Sequence, residues 1–432
     1  VPIDRPPLEL NVGFRDALDL LEKGGSNLFI TGKAGTGKST LLQLYRNTTR
    51  KNVVVLAPTG VAALNVRGQT IHSFFGFPPN MFPRKEIMKR RDRRLYRKID
   101  VLIIDEISMV RADLIDHMDY FLRLNREINE PFGGVQVVFF GDLFQLPPVV
   151  ASDFERSFFE VQYPSPYFFS AQLFQEGFAM EMLELRKVYR QDNRHFLRLL
   201  DAVRQNHADQ DDLEELNERF LPAFESQDFY ITLTARNATA DGINQKQLAK
   251  IDAFPKVYGA KLTGEFNPQI APTDLALKLK EEAQVMLIKN DLDRRYVNGT
   301  IGKIVRLEEE KITIRIEDHQ GNSQEIQIEP ATWETVRYRY KSDNSEEIET
   351  EITGTFTQFP LKLAWAVTIH KAQGKTFDRV IIDLGGGAFE HGQTYVALSR
   401  CRTLDGIVLR QRIHLQDILT DQRIVDFYQA IK

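Results

Sequence analysis

"NLFITGKAGTGKSTLLQLYRN", residues Asn27 to Asn47, decides the fold. An apolar run suited to a buried strand breaks into a glycine-rich turn, and the turn opens into a helical pattern. Gly32, Gly37, Lys38 and Ser39 satisfy G-x-x-x-x-G-K-[ST] in the strand–loop–helix setting that this motif requires. The glycines let backbone N–H groups close on phosphate oxygens, and the positive end of the following helix adds to the attraction. Gly35, Thr36, Gly37, Lys38, Ser39 and Thr40 are therefore the expected nucleotide contacts. Lys38 is placed to pair with the β- and γ-phosphates and Ser39 to ligate Mg²⁺.

The same texture recurs on either side. "NVVVLAPTG", "VLIIDEIS" and "VQVVFFGD" are apolar runs followed by polar turns and helical patterns. Short buried strands alternating with helices predict a parallel sheet covered on both faces. A second block, "FYITLTARN", "LAWAVTIHKAQG", "RVIIDLGGG" and "GIVLR", repeats the pattern more loosely. Between its halves, "VNGTIGKIVRLEEEKITIRIEDHQGNSQEIQIEP" alternates apolar and polar residues and turns at Asn298-Gly299 and Gln320-Gly321. That grammar predicts a small antiparallel barrel inserted into the second α/β domain. The basic stretch from Phe77 to Lys98 interrupts the first domain as a short helical insertion. The fold class is α/β, with domains expected over 1–76 with 99–184 and over 185–296 with 358–432. The insertions occupy 77–98 and 297–357.

Composition bounds the partners less sharply. The 432 residues are 42% hydrophobic and 27% charged, ordinary for a globular chain, with a net charge of −4. Bulk charge gives no sign of a nucleic-acid partner, yet "PRKEIMKRRDRRLYRK" concentrates positive charge locally. The lone Cys401 excludes an intramolecular disulfide and points to a reducing compartment. No apolar run approaches the ~20 residues of a membrane span. The chain begins at Val1 rather than Met, as a trimmed chain would.

Chemistry beyond the phosphate loop starts at "VLIIDEIS", whose strand ends in Asp105-Glu106. Acids at the C-terminal end of a parallel strand face the ligand crevice. Asp105 is expected to hold Mg²⁺, and Glu106 to polarise the attacking water as general base. Alone, such a pair is more often solvated surface; the upstream loop favours the functional reading. Gln145 in "FFGDLFQLPPV" stands where an amide can sense the γ-phosphate and that water, although spacing alone fits a polar loop residue before two prolines equally well. "TIHKAQGKT", Thr368 to Thr376, ends in a second Gly-Lys-Thr, but a phosphate loop needs glycine where Ile369 stands.

The ordered set "GKAGTGKS", "APTGVAALN…QTIHSFF", "IDEIS", "GDLFQLPPV", "LRKVYRQ", "VTIHKAQGKT" and "YVALSRCR" resembles superfamily 1 DNA helicases of the 5′-to-3′ subgroup. Among these it is most similar to the petite-integration-frequency family, relatives of RecD helicases, from about Leu10 to Arg410. The resemblance implies two RecA-like domains with ATP between them and an SH3-like barrel as the second insertion. It implies ATP and Mg²⁺ as cofactors and single-stranded, forked or structured DNA as partner, RNA–DNA hybrids and G-quadruplexes included. It implies DNA repair, replication, recombination and telomere maintenance as settings, and a monomer that can pair on DNA. Work is expected at a bacterial nucleoid or in a nucleus and mitochondria, with no membrane partner.

By the same matching, Pro58, Thr59, Gly60 and His72 in the first domain contact the strand, as do Asn298, Thr368, His370 and Lys371 in the second. Gln373 and Gly374 face the nucleotide, while Arg190 and Arg400 reach the γ-phosphate. Lys38, Glu106, Gln145, Arg190 and Arg400 form the implied catalytic set. Phe14 stands at the position of the family's adenine-reading glutamine, so either base selectivity is relaxed or the base is held by stacking. Two alternatives are a RecD-like translocase subunit of a nuclease complex and a single-strand-binding protein with a weak ATP site. Lys38, Asp105, Glu106 and Arg400 argue against the latter, since binding alone needs none of them.

Overall fold

Apolar runs of four or five residues, too short for helices, build the centre of the molecule. Val101–Ile104 is buried at every position, and Val53–Ala57 and Gln136–Phe140 at every position but the first. The protein is described from a computed structural model covering residues 12–150, 152–191, 193–291, 293, 295–317, 321–341 and 347–431. Residues 1–11 of the expected first domain, and Gln320 of the second expected turn, lie outside the described residues. The first sheet is parallel throughout, in the order Gln69–Thr70, Val53–Ala57, Val101–Ile104, Gln136–Phe140, Asn27–Gly32, Met180–Leu185. Neighbouring residues of one strand serve opposite faces. Leu28 and Ile30 pack with Leu41, Leu42 and Tyr45 of helix Lys38–Thr48, while Phe29 packs against Phe168 on the other side. Each such buried side chain contributes about 1.5–3 kcal/mol.

The second sheet is also parallel, in the order Ala366–Thr368, Ile231–Thr234, Val380–Asp383, Ile407–Leu409. All four runs read from the second block contribute to it. Its lobe includes helix Arg194–Arg204 and helix Gln393–Leu398. Cys401, just beyond that last helix, is fully buried; its Sγ faces the Asp378 carbonyl at 3.4 Å, and burial pushes the thiol up to about 12.

The intervening segment forms antiparallel sheets, as alternation implies. Ser323–Ile328, Ile312–Glu317, Ile301–Leu307, Gln284–Leu287 and Leu361–Leu363 make five strands in that order. Ile312, Ile314 and Ile316 point into their own small core. Strands on both sides of the 297–357 window thus join the sheet, because a short barrel needs its flanks to close. A further sheet, Ala331–Tyr340, Ile348–Gln358 and Lys261–Gly264, leans on the first lobe. There the two-residue strand Gln69–Thr70 leaves part of its neighbour's edge open, and an open edge demands a partner. The Tyr338 hydroxyl supplies it, accepting from Val55 N at 2.9 Å. Tyr338 N donates to Gln69 Oε1 at 3.3 Å and Ile348 N to Asn52 Oδ1 at 2.9 Å. The segment Pro268–Ile270 also presses on this lobe: a Cβ at Gly60 would lie 2.3 Å from Ile270 Cγ2, so only glycine fits.

The basic stretch differs from a helical insertion. It holds one 3-10 turn, Arg84–Glu86, and one helical turn, Arg94–Arg97. Pro78, Pro79 and Pro83 interrupt the backbone there. Its charge is also largely spoken for. Lys89, Arg93 and Arg97 converge on Glu127, and Arg94 binds Asp92. Arg90 donates to the Phe75 carbonyl and lies 5.6 Å from the centre of the Phe121 ring.

Candidate functional site

The phosphate loop joins strand Asn27–Gly32 to helix Lys38–Thr48 through Gly37, whose φ of +89° few other residues adopt. A Cβ there would stand 2.9 Å from the Phe14 ring and 3.8 Å from Tyr189, so two aromatic rings flank the loop. Lys38 Nζ donates to the carbonyls of Gly32 at 2.6 Å and Lys33 at 3.2 Å. Burial pushes this amine down, and the Asp142 and Glu106 carboxylates oppose the shift. Thr36 is buried and donates to the Lys33 carbonyl, whereas Ser39 and Thr40 expose their side chains on the first helical turn. Gly35 accepts from Tyr189 N at 2.9 Å.

Asp105 and Glu106 follow strand Val101–Ile104 directly, at its C-terminal end. Burial first, and then the Glu106 charge, raises the Asp105 carboxyl; burial likewise raises Glu106, with Lys38 and Arg400 pulling the other way. Glu106 adopts a left-handed backbone with φ +52°. Two acids held this close in a dry site suit a divalent cation. Gln145, also buried, lies 3.5 Å from Asp142 Oδ2 and accepts from Gln373 Nε2 at 3.4 Å. That amide pair spans the two lobes.

The second lobe supplies the opposite wall. Arg190 NH1 donates to the Ser399 carbonyl at 3.2 Å; burial, and then the Arg400 charge, lowers it well below the usual range. Arg400 is 1% exposed and is held by the Val396 carbonyl at 2.9 Å and Ser399 Oγ at 2.8 Å. Burial lowers it to about 10, while Tyr395, Glu106 and Asp142 favour its charge. Gly374, with φ +73°, sits in the loop just beyond Gln373.

The residues matched to a DNA track fall into two groups. Pro58 and Gly60 are half-buried and Thr59 caps helix Gly60–Asn65, accepting from Ala62 N at 3.2 Å. His72 is half-buried, pushed down first by burial and then by Arg111. In the second lobe, buried Thr368 caps the short helix Ile369–Ala372, His370 pairs with Glu390 at 3.3 Å, and Lys371 is exposed. Asn298 N donates to Asn290 Oδ1 at 2.8 Å, and its own Oδ1 is buried without a partner among the described residues.

Sequence reasoning passed over three kinds of residue here. Asp142 ends a strand as Asp105 does, so the same signal was available. Lys362 and Lys375 stand near Lys371; burial and then Lys362, Arg400 and Lys371 lower Lys375 to about 8. Tyr395 and Arg204 carry no local signal at all.

Walls drawn from two parallel sheets around one phosphate loop define a two-lobed P-loop nucleoside triphosphatase of RecA-like build. Comparison with known proteins sharpens this. Residues 14–213 match the family model described as PIF1-like helicase. The ATP-dependent DNA helicase Pif1 of Bdellovibrio bacteriovorus is 34% identical over 98% of this chain and 93% of that one. The human ATP-dependent DNA helicase PIF1 is 32% identical over 94% of this chain, which spans only 62% of its length. The chain belongs to the PIF1-like helicase family. Bacteroides Pif1 in complex with ADP-AlF4 is 38% identical, covers 98% of this chain and 97% of its own, and superposes with a TM-score of 0.90. Bound to ssDNA, Bacteroides Pif1 at 39% identity and the same coverage gives 0.69. Among the described residues, no helix is long and apolar enough to cross a membrane.

Proposed function

We propose that this chain is an ATP-dependent DNA helicase that tracks 5′ to 3′ along single-stranded DNA and opens duplex ahead of it. The observation that carries the reading is the shared cleft: phosphate loop and strand-end acids from one lobe, and the buried Arg400 from the other. Hydrolysis then depends on how the lobes sit, which is what converts a nucleotide cycle into movement. Lys38 and the loop amides hold the phosphates, Glu106 takes the proton of the attacking water, and Gln145 orients that water. Arg190 and Arg400 stabilise charge on the transferring phosphoryl group. Ser39 and Asp105 would hold Mg²⁺, which neutralises charge on the β- and γ-phosphate oxygens when bound. Tyr189, exposed beside the loop, is the proposed stacking surface for the base, whereas Phe14 is buried in the core beneath the loop and offers it no free face.

Pro58, Thr59, Gly60 and His72 on one lobe, and Asn298, Thr368, His370 and Lys371 on the other, are proposed to contact the strand's backbone. Such contacts hold any sequence. The test is strand displacement on a duplex carrying either a 5′ or a 3′ single-stranded tail. ATP-dependent unwinding confined to the 5′ tail is the expected result; activity confined to the 3′ tail overturns the polarity. A protein that binds DNA and never turns over ATP returns the reading to a binding module.

The basic insertion is the proposed contact for the fork. Its free charges are not those that composition suggests, since Arg90, Arg93 and Arg94 are engaged within the protein. Lys85 and Arg91 are exposed and carry no ion pair among the described residues. Replacing both with glutamine is expected to slow unwinding of a forked duplex about two- to fivefold at moderate salt, with single-strand affinity less affected. Equal unwinding rates across a salt series would leave the insertion as a solvated surface. Arg90→Gln, by contrast, is expected to lower thermal stability by removing the Phe75 carbonyl's partner.

A further inference from the structure

Three buried side chains connect the phosphate loop to the second lobe, and of the positions matched to the nucleotide they meet Gln145, which lies 3.5 Å from Asp142 Oδ2. Tyr395, on helix Gln393–Leu398, accepts at its hydroxyl from Ala34 N in the loop at 3.1 Å. The same hydroxyl donates to Asp142 Oδ2 at 3.4 Å. The other Asp142 oxygen accepts from Arg204 NH2 at 3.0 Å and Phe144 N at 3.2 Å. Arg204 ends helix Arg194–Arg204, and its guanidinium lies 4.2 Å from the centre of the Phe144 ring. Tyr395, Asp142 and Arg204 are 3%, 1% and 4% exposed. One turn earlier on the Arg204 helix, Asp201 pairs with Lys33 of the loop at 2.9 Å. The loop is thus gripped twice from the opposite lobe.

We propose that Tyr395, Asp142 and Arg204 form a positioning relay through which the second lobe sets the phosphate loop for turnover. The inference rests on the cleft being an ATP-hydrolysing site, and it adds residues that act through the loop's backbone rather than on the nucleotide. Each group has the ionisation the relay needs. Burial alone would raise Asp142, yet Arg204 and Lys38 outweigh it and keep the carboxylate charged. Burial and Asp142 raise Tyr395, which stays a neutral hydroxyl able to donate and accept at once. A buried hydrogen bond between parts that must move together transmits displacement only while both ends are satisfied. DNA, by changing how the second lobe sits, would therefore reach Ala34 through Tyr395.

The test uses the whole chain with steady-state ATPase, with and without saturating single-stranded DNA, beside binding of a fluorescent ATP analogue. Tyr395→Phe removes one oxygen and leaves Ala34 N unpaired. It is expected to lower DNA-stimulated kcat about tenfold and to cut the stimulation ratio, while KM and analogue binding change less than about threefold. Arg204→Met is expected to do the same, with Arg204→Lys recovering part of the loss. The double variant Tyr395→Phe, Arg204→Met should be no worse than the weaker single variant, because both act through Asp142. A stimulation ratio within twofold of wild type in Tyr395→Phe overturns the relay, as does a double variant whose losses multiply. If Tyr395→Phe is unstable by thermal melting, the Arg204→Lys and Arg204→Met pair decides alone: equal kcat in the two overturns it. A wild-type protein without DNA-stimulated turnover instead overturns the reading of the cleft itself.

Discussion

Arg400→Ala is expected to abolish DNA-stimulated ATP turnover, lowering kcat by about 10³–10⁵, the range typical of an arginine supplied across a phosphoryl-transfer site. A surface arginine capping a helix could be removed almost freely. Arg400 is not on the surface: its guanidinium is enclosed, held by the Val396, Ala372 and Lys375 carbonyls and the Ser399 hydroxyl of its own lobe. Among the described residues no carboxylate hydrogen-bonds to it, so its charge is left for the cleft, where Glu106 and Asp142 feel it. Ground-state nucleotide binding is expected to rest mainly on the loop of the opposite lobe, so an ATP analogue should still bind. Arg400→Lys should not restore turnover, since a point charge lacks the planar fork. Steady-state ATPase with saturating single-stranded DNA, checked against thermal midpoints, decides the matter. Robust turnover by Arg400→Ala would remove the cross-lobe mechanism.

Lys38 and Glu106 should fail differently. Lys38→Ala takes away the amine proposed to pair with the phosphates and is expected to weaken nucleotide binding and hydrolysis together. Glu106→Gln preserves size and hydrogen bonding and removes only the proton acceptor. Mg-ATP should still bind it within a few-fold of wild type, while turnover falls about 10²–10⁴-fold. Glutamine also keeps a side chain of the same length on the left-handed backbone found at Glu106, so misfolding is not the expected cause of loss. The measurement pairs equilibrium binding of an ATP analogue with single-turnover hydrolysis. Near-normal hydrolysis by Glu106→Gln would assign the base elsewhere.

How legible these features were follows from their range along the chain. Val101–Ile104 was readable because a strand buried on both faces must be apolar at every position. The phosphate loop was readable because its glycines, lysine and hydroxyl are consecutive. Met180–Leu185 is half-exposed along most of its length and reads as neither strand nor helix, yet it pairs with Asn27–Gly32 at six positions. Strand Gln69–Thr70 is too short to carry a period. The basic stretch was legible as charge and illegible as structure, because Glu127, which gathers three of its cations, lies some 30 residues on. Tyr395 and Arg204 meet Asp142 from 253 and 62 positions away. A tyrosine inside an apolar helix reads as core until its hydroxyl's partner is seen.

Cys401 has a practical consequence. A thiol that is fully buried and pushed up to about 12 is almost wholly protonated at neutral pH, and it is the thiolate that attacks a maleimide. The wild-type chain therefore serves as its own blank for chemical labelling, with no need to delete a native cysteine and disturb the packing around it. Fluorophores attached to two introduced surface cysteines, one on each lobe or one on the sheet that Tyr338 anchors, would report distances from a single, clean background. Opening and closing could then be followed molecule by molecule as nucleotide and DNA are added.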